Sequence, residues 1–184
     1  MADGKGLLNP DLSGSREFES HRLRNLTPSA LLWYNTPVNK STIFVGVALI
    51  AKKRTVGGYS WLLVKTNKES DWEFPKSIAH KGESSVRAVI RMTQEQFFMN
   101  ATVLEEAGRF TGKASPEEKA YDKMTLYYLF IQKSGGSDIS GFAEYKWVEE
   151  GQVGKKLESK KEKEVFMVAK KILKEKLTRK RQTP

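Results

Sequence analysis

The sequence contains no cysteine and only two histidines, His21 and His80, among its 184 residues. Without cysteine the chain can form no disulfide, no thiolate zinc site and no cysteine nucleophile, which fits a reducing compartment. Two histidines argue against a histidine-rich metal site and against a buried Ser/His/Asp triad. Any hydrolytic chemistry would therefore rest on carboxylates, on lysines or on a hard cation held by oxygen atoms.

Long apolar runs are also missing. The longest candidate, residues 43–51, has the length of a strand, whereas a helix needs about 20 apolar residues to cross a bilayer. Residues 1–30 contain four acidic side chains and lack an apolar central segment, so the sequence predicts neither a secretory signal nor a transit peptide. We expect a soluble, cytoplasmic protein with no membrane partner.

The length suits one domain with a core of ordinary size. We interpret residues 1–25, which are polar and aperiodic, as a flexible lead-in, residues 26–178 as the domain, and residues 179–184 as a basic tail. Codons that can encode residues 16–20 overlap the conserved arm sequence of transfer RNA genes. One hypothesis is therefore that the lead-in is translated from an upstream transfer RNA gene, which the genomic DNA would decide.

The formal net charge is +10, and most of it lies near the C-terminus. Residues 154–184 contain twelve Lys or Arg and four Asp or Glu, which gives +8 and leaves +2 for the rest of the chain. One interpretation is a solvated helix face that ends in a basic tail. The other is a weak, salt-sensitive contact with nucleic acid or another polyanion.

A strand pattern begins near residue 42. Residues 42–51 are β-branched or apolar at nearly every position, which predicts a central strand buried on both faces. Gly57 and Gly58 then form a turn signal, and residues 61–66 are the predicted hairpin partner. The C-terminal half of the chain contains the patterns of three more strands, near residues 101–110, 124–132 and 143–148, with a charged loop at 112–122.

Two helices are predicted. Ser84 or Ser85 can cap the first, which runs to about Met99. Its apolar or small side chains share one stripe at positions Val86, Val89, Ile90, Thr93 and Phe97. The second covers residues 160–177, and its inward residues are Val165, Ala169, Ile172, Leu173 and Leu177. Strands followed by helices in this order predict a layered α/β fold.

The chemistry-bearing residues lie in the stretch WEFPKSIAHKGESSVRAVIRMTQEQFFM, which begins at Trp72. Gly82 and Glu83 precede the first helix, and Arg91 and Glu95 lie within it. This order and spacing resemble the signature box of the Nudix hydrolase superfamily. That box reads glycine, five residues, glutamate, seven residues, Arg-Glu-aliphatic, one residue, Glu-Glu, one residue, glycine-aliphatic. The spacing fits without a gap, and the resemblance spans roughly residues 42–177.

Several identities depart from the box. Glu83, Arg91 and Glu95 match it, and Met99 suits its aliphatic end. The other positions carry a different residue type, namely Ser77 and Phe98 for the two glycines, Met92 and Gln96 for two glutamates, and Thr93 for the aliphatic residue. The box is therefore degenerate, since two of the three glutamates on its helix are replaced.

The resemblance implies a Nudix-like α/β/α sandwich with a mixed β-sheet and a Mg²⁺- or Mn²⁺-dependent reaction. In the family, positions equivalent to 92, 95 and 96 supply three carboxylates to the cation, because residues spaced i, i+3 and i+4 share one helix face. The implied catalytic residues here are Glu83, Arg91 and Glu95, and the implied metal ligands are Glu95 and Gln96. A thioether at Met92 has little affinity for a hard cation.

The implied ligand contacts are Lys76, which could meet a phosphate, and Trp72 and Phe74, which could stack on a base. Each also has a purely structural interpretation, as a solvated lysine or as core aromatic residues. Arg91 and Glu95 could likewise form only a surface ion pair. The family often adds an acidic group from a later loop, for which Glu117, Glu118 and Asp122 are candidates.

Two functions remain open at this point. The first is a Nudix-fold relative of pyrophosphohydrolases that bind nucleoside diphosphate derivatives, with an eroded metal site and therefore weak or absent catalysis. Its partner would be a phosphorylated, nucleotide-like ligand. Its cofactor would be Mg²⁺ or Mn²⁺ if the protein is active, and otherwise it would have no cofactor. The alternative is an RNA- or ribonucleoprotein-associated binding domain that uses its basic C-terminus.

Overall fold

The computed structural model describes residues 42–114 and 121–182. These residues form six strands and three helices. In chain order the elements are β1 (Ile43–Lys53), β2 (Tyr59–Lys65), β3 (Lys76–Ile78), α1 (Ser85–Glu95), β4 (Met99–Ala114), β5 (Tyr121–Gly135), β6 (Glu144–Glu149), α2 (Glu150–Lys156) and α3 (Lys160–Gln182). The predicted lead-in lies outside the described part of the chain. No described helix is long and apolar enough to span a membrane.

The sheet is mixed and has the order β4-β5-β1-β2-β6, with β3 paired to β1. β1 runs parallel to β5 and antiparallel to both β2 and β3. The predicted central strand is confirmed, because β1 is buried on both faces from Val45 to Ala51. The turn signal is also confirmed: Gly57 and Gly58 adopt φ angles of 50° and 76°, which glycine tolerates at little steric cost.

Two cores lie on opposite faces of this sheet. Alternate residues of β1 point to opposite sides, so Val47 and Leu49 belong to the core under α3, whereas Ala48 and Ile50 belong to the core under α1. Burying a large apolar side chain contributes about 1.5–3 kcal/mol. The structure therefore has the predicted α/β/α sandwich.

Helix α1 lies close to the sheet at Gly46. A Cβ atom at this position would lie 2.3 Å from the backbone oxygen of Ser85 and 2.3 Å from Cγ2 of Val89. A glycine therefore permits the helix to contact the backbone of β1. Because α1 carries the candidate site, Gly46 helps to position that site relative to the sheet.

The first helix is shorter than predicted. It ends at Glu95, where Gln96 still donates a backbone hydrogen bond to Met92, and β4 begins at Met99 instead of continuing the helix. Between them Phe98 adopts a φ angle of 45°, a left-handed conformation that ends the helical hydrogen bonding. Within α1, Val89 and Thr93 are buried as predicted.

Helix α3, the second of the two predicted helices, is longer than predicted and ends at Gln182. The segment interpreted as a tail is therefore largely helical. Its predicted inward residues are confirmed as buried or packed against the core, and Phe166 joins them. The short helix α2 was not predicted. The charged loop is also shorter than expected, because β4 continues to Ala114 and β5 begins at Tyr121.

Candidate functional site

The loop between β3 and α1 is closed by hydrogen bonds between its own residues. Glu83 donates its backbone N–H to the His80 carbonyl at 2.9 Å, and its Oε2 accepts the His80 backbone N–H at 2.9 Å. Gly82, just before it, has a φ angle of 81°, which an L side chain rarely adopts. These contacts hold the Glu83 carboxylate at the start of α1.

Arg91 meets this carboxylate from one side of α1. Its Nε lies 3.1 Å from Glu83 Oε1 and its Nη2 lies 3.1 Å from Oε2, which is the bidentate geometry that guanidinium and carboxylate groups favour. Nη2 also donates to the Ile78 carbonyl at 3.4 Å. The hydrogen bond from Arg91, followed by that from the His80 N–H, lowers the pKa of Glu83 to about 2. Glu83 is therefore an anion whose oxygen atoms already have donors.

Glu95 lies one helical turn beyond Arg91 and faces solvent. Its Oε2 is 3.9 Å from Arg91 Nη1, so the possible surface ion pair is present but long. The Glu95 side chain is 64% exposed. This carboxylate is therefore more accessible to a ligand or cation than that of Glu83, whose side chain is 16% exposed.

Met92 does not share the accessible surface of Glu95. Its side chain is 1% exposed and packs in the core between α1 and the sheet, beside Val89 and Phe130. Ala88 and Met92 are four residues apart and lie on the buried stripe of α1. An apolar thioether is more stable in the core than in water, which favours this orientation of the helix. The expectation that positions 92, 95 and 96 converge on one ligand face is corrected accordingly.

Gln96 is the C-terminal cap of α1 and is half-buried. Its backbone carbonyl accepts hydrogen bonds from the Ser140 N–H at 2.8 Å and from the Ser140 hydroxyl at 3.2 Å. A Cβ atom at Gly141 would lie 3.6 Å from the Gln96 side-chain amide, so the amide packs against the loop between β5 and β6. The residue thus ties this loop to the end of the helix.

The implied ligand contacts have different surroundings. Phe74 is fully buried, with its ring centroid 6.2 Å from that of Phe166, so no face of the ring is open to a ligand base. Trp72 is half-buried, and Lys65 Nζ lies 5.4 Å from its ring centroid. Lys76 forms an ion pair with Glu73, although its side chain remains 41% exposed.

A buried acid near these residues was missed from the sequence. Glu162 on α3 is 7% exposed, and its Oε2 accepts the Phe74 backbone N–H at 3.2 Å. Burial raises its pKa to about 7, although the Phe74 hydrogen bond and the Lys76 charge oppose this shift. The sequence feature that could have indicated this burial is the position of Glu162, three residues before Val165 and on the same buried stripe of α3.

The residues present do not fit the family's three-carboxylate cation site. In the described parts of the chain, no group of three or more histidine, aspartate or glutamate side chains lies close enough to hold a metal ion. Near Glu95, one expected donor is a buried thioether and the other is an uncharged amide. Asp122 is exposed on β5, whereas Glu117 and Glu118 lie outside the described residues.

The mixed sheet between two helical layers, with a Gly-Glu loop leading into a helix that bears Arg91, is the Nudix fold. The C. elegans Ap4A hydrolase, solved as a binary complex, superposes with a TM-score of 0.59 and 20% sequence identity, covering 71% of this chain and 97% of that one. The Nudix domain of Shewanella oneidensis NrtR, solved with ADP ribose, superposes with a TM-score of 0.55 and 16% sequence identity, covering 80% of this chain and 99% of that one.

A third solved structure, the E. coli dihydroneopterin triphosphate pyrophosphohydrolase, superposes with a TM-score of 0.51 and 9% identity, covering 67% of this chain and 91% of that one. The sequence matches no protein-family model and no curated protein. The likeness is therefore one of fold, at sequence identities where the residues of the site must be judged individually.

Proposed function

We propose that the protein binds a nucleoside diphosphate derivative beside the Glu83–Arg91 pair and hydrolyses it weakly or not at all. The observation that carries the proposal is the burial of Met92, which leaves Glu95 as the only exposed carboxylate of the three helix positions. One carboxylate offsets little of a cation's charge and supplies few of the oxygen ligands that Mg²⁺ requires. Mg²⁺ or Mn²⁺ is the expected cofactor if turnover occurs, and none is expected otherwise.

The binding half of the proposal is supported by the ligands of proteins with this fold and by local charge. The solved structures include an Ap4A hydrolase and a domain complexed with ADP ribose, both of which concern phosphate-linked nucleotides. In this chain the Lys76 ammonium is partly exposed next to the start of the box. A lysine in that position is suited to contact a phosphate as a compact charge.

The test combines binding and turnover on the full-length protein. Calorimetry with ADP-ribose and Ap4A, with and without Mn²⁺, should detect binding, and Lys76→Gln should weaken it about fivefold or more. Lys68→Gln, which removes an exposed lysine from another loop, is the matched control and should leave the affinity unchanged. If no phosphorylated nucleotide binds, the binding half of the proposal is wrong.

Turnover is tested separately on the same compounds by measuring the release of phosphate products. We expect slow or undetectable release, and Glu95→Gln should change it little. Rapid release that depends on Mn²⁺ and is lost in Glu95→Gln would show that a working cation site exists despite the buried thioether. That result would make the protein an active pyrophosphohydrolase.

The RNA-associated alternative is favoured by one feature of α3. Its exposed surface includes several lysines, namely Lys160, Lys161, Lys171, Lys174 and Lys176. Such a surface can neutralise phosphates in a salt-dependent manner. Lys176 is also paired with Glu105 at 3.1 Å, which offsets part of this charge.

A further inference from the structure

A concave surface lies at the tip of the β1–β2 hairpin. This hairpin groove has a volume of about 380 Å³, and its walls include Lys52, Lys53, Arg54, Thr55, Ser60 and Trp147. Lys52 is two residues beyond Ile50 on β1, so its side chain points to the same face of the sheet as the core beneath α1. The groove therefore begins where this core ends.

The hairpin groove is separate from the box. β3, where the box begins, pairs with β1 at Val45–Val47, and Lys52 lies five residues farther along the same strand. At about 3.3 Å per residue, this separation is roughly 17 Å. The groove is therefore a different surface from the one beside the box, and the inference does not rest on the function proposed above.

The groove carries an excess of positive charge. Arg54 is paired with Glu149 at 2.8 Å, and this glutamate offsets one of the three cations. Among the described residues, neither Lys52 nor Lys53 forms an ion pair with a carboxylate. Their two ammonium groups are therefore available to anions, on opposite faces of β1 at the hairpin tip, because successive strand residues alternate. A chain that crosses the tip can meet both, and the Thr55 and Ser60 hydroxyls can add hydrogen bonds.

An aromatic ring accompanies these charges. Trp147 on β6 is half-buried, and Lys52 Nζ lies 5.3 Å from its ring centroid. Positively charged side chains beside an aromatic ring are the combination with which proteins bind single strands, because the cations contact phosphates and every base offers a π face. The groove thus combines the two features that bind unpaired nucleotides without a preference for sequence.

The open shape of the groove indicates which ligand it fits. Sites for small molecules enclose most of the ligand surface, whereas this groove borders the hairpin turn, where Val56 is 82% exposed. Affinity would have to come from repeated phosphate contacts along a chain. We propose that the hairpin groove binds a segment of single-stranded nucleic acid, with phosphates at Lys52 and Lys53 and a base against Trp147.

The experiment measures fluorescence anisotropy of a labelled oligouridylate of about ten nucleotides, a length within the range of known single-strand sites. Lys52→Gln/Lys53→Gln should weaken binding about tenfold or more. It should also reduce the slope of log K against log salt by about 1.4, since each single-strand phosphate contact contributes about 0.7. Trp147→Leu should weaken binding about tenfold while leaving the slope unchanged.

The matched control is Lys68→Gln/Lys133→Gln, which removes the same charge from exposed positions outside both the hairpin groove and α3. It should change the affinity less than about threefold. Circular dichroism verifies the fold of each variant, and the lysine pair remains decisive if Trp147→Leu fails to fold. Equal losses in both double variants would assign binding to general charge. That result, no binding at low salt, or equally effective competition by uridine monophosphate would overturn the proposal.

Discussion

Met92 stands where the Nudix box has a glutamate, and its side chain completes the core beneath α1. This single replacement changes the chemistry of the site and the packing of the helix together. A glutamate at this position would have to turn toward solvent or enter an apolar core without a partner. We therefore expect that restoring the carboxylate alone would not restore a cation site.

We predict that Met92→Glu lowers the free energy of unfolding by about 3 kcal/mol or more, because it places an unpaired carboxyl group in the core. Met92→Leu, which conserves volume and apolar character, should cost less than about 1.5 kcal/mol. Urea unfolding at neutral pH measures both. If Met92→Glu is as stable as Met92→Leu, position 92 can face solvent, and the argument that Met92 prevents a cation site is wrong.

Phe98 occupies the last glycine position of the box and retains the conformation that a glycine would favour. Its φ angle is 45°, and its side chain is 65% exposed, so little apolar burial compensates for the backbone strain. The turn between α1 and β4 therefore holds a non-glycine residue in a conformation that glycine adopts more readily.

Replacing Phe98 with glycine should relieve this strain. We expect Phe98→Gly to raise the free energy of unfolding by about 0.5–1 kcal/mol, after allowing for the greater freedom of glycine in the unfolded chain. Phe98→Ala is the matched control, because it also removes the ring but keeps the Cβ atom that causes the strain. Equal stabilities of the two variants would indicate that the backbone is not strained at this position.

At the scale of elements, α3 is joined to the sheet by both apolar and polar contacts. Phe166 packs edge-on against Trp61, with ring centroids 5.0 Å apart. Close by, Glu162 accepts the Phe74 backbone N–H. Glu162 lies in the first turn of the helix, and its backbone N–H is 3.4 Å from the Ser159 hydroxyl. A titratable group is thus part of the contact between helix and sheet.

Stability should consequently depend on pH through Glu162. Burial raises its pKa from 4.5 to about 7, so the folded state holds a proton that the unfolded chain releases between these values. The stability gained from this bound proton is fully present below pH 4.5 and is lost as the pH rises through 7. The loss in the free energy of unfolding amounts to about 3 kcal/mol. Glu162→Gln should therefore show a flatter decline in stability between pH 5 and pH 8.

Glu164→Gln is the control for this effect, because Glu164 is exposed on the same helix. Chemical unfolding at several pH values measures all three proteins. The range above pH 5 also avoids Glu83, whose lowered pKa contributes stability above 4.5 that is lost toward pH 2. If the wild type and Glu162→Gln decline in parallel, Glu162 is not protonated in the folded state.

At the scale of the whole molecule, the sheet separates two cores, and α3 covers one of them. The helix supplies four buried apolar residues, Val165, Phe166, Ala169 and Leu173. The three larger ones contribute about 1.5–3 kcal/mol each, against a total stability of about 5–15 kcal/mol for a typical domain. The fold therefore depends on this helix.

Two truncated chains test this dependence. A chain ending at Ser159 should lose cooperative thermal unfolding and expose apolar surface that binds a hydrophobic dye. A chain ending at Leu177 keeps these four residues and Glu162 and should unfold cooperatively close to the wild type. Cooperative unfolding of the shorter chain would show that the remaining core is sufficient without the helix.

Much of this architecture could be predicted from local patterns. The apolar run in β1, the glycine pair of the hairpin and the stripes of the two main helices follow from periodicity and turn chemistry, because neighbouring residues determine them. The spacing of Glu83, Arg91 and Glu95 likewise predicted the fold. The early end of α1 at Glu95 could not be predicted, because it depends on Phe98 and on the pairing of β4 with β5.

The sequence by itself determined which chemical groups the molecule has: no thiol, few imidazoles, one glutamate among three helix positions, and a basic C-terminal segment. Only the tertiary structure decided which of these groups face water. Met92 is three residues from the accessible Glu95, yet it is buried and belongs to the core. Glu162 is three residues from the buried Val165, and its own burial raises the pKa of its carboxyl group. Exposure depends on contacts between distant segments, which local sequence does not specify.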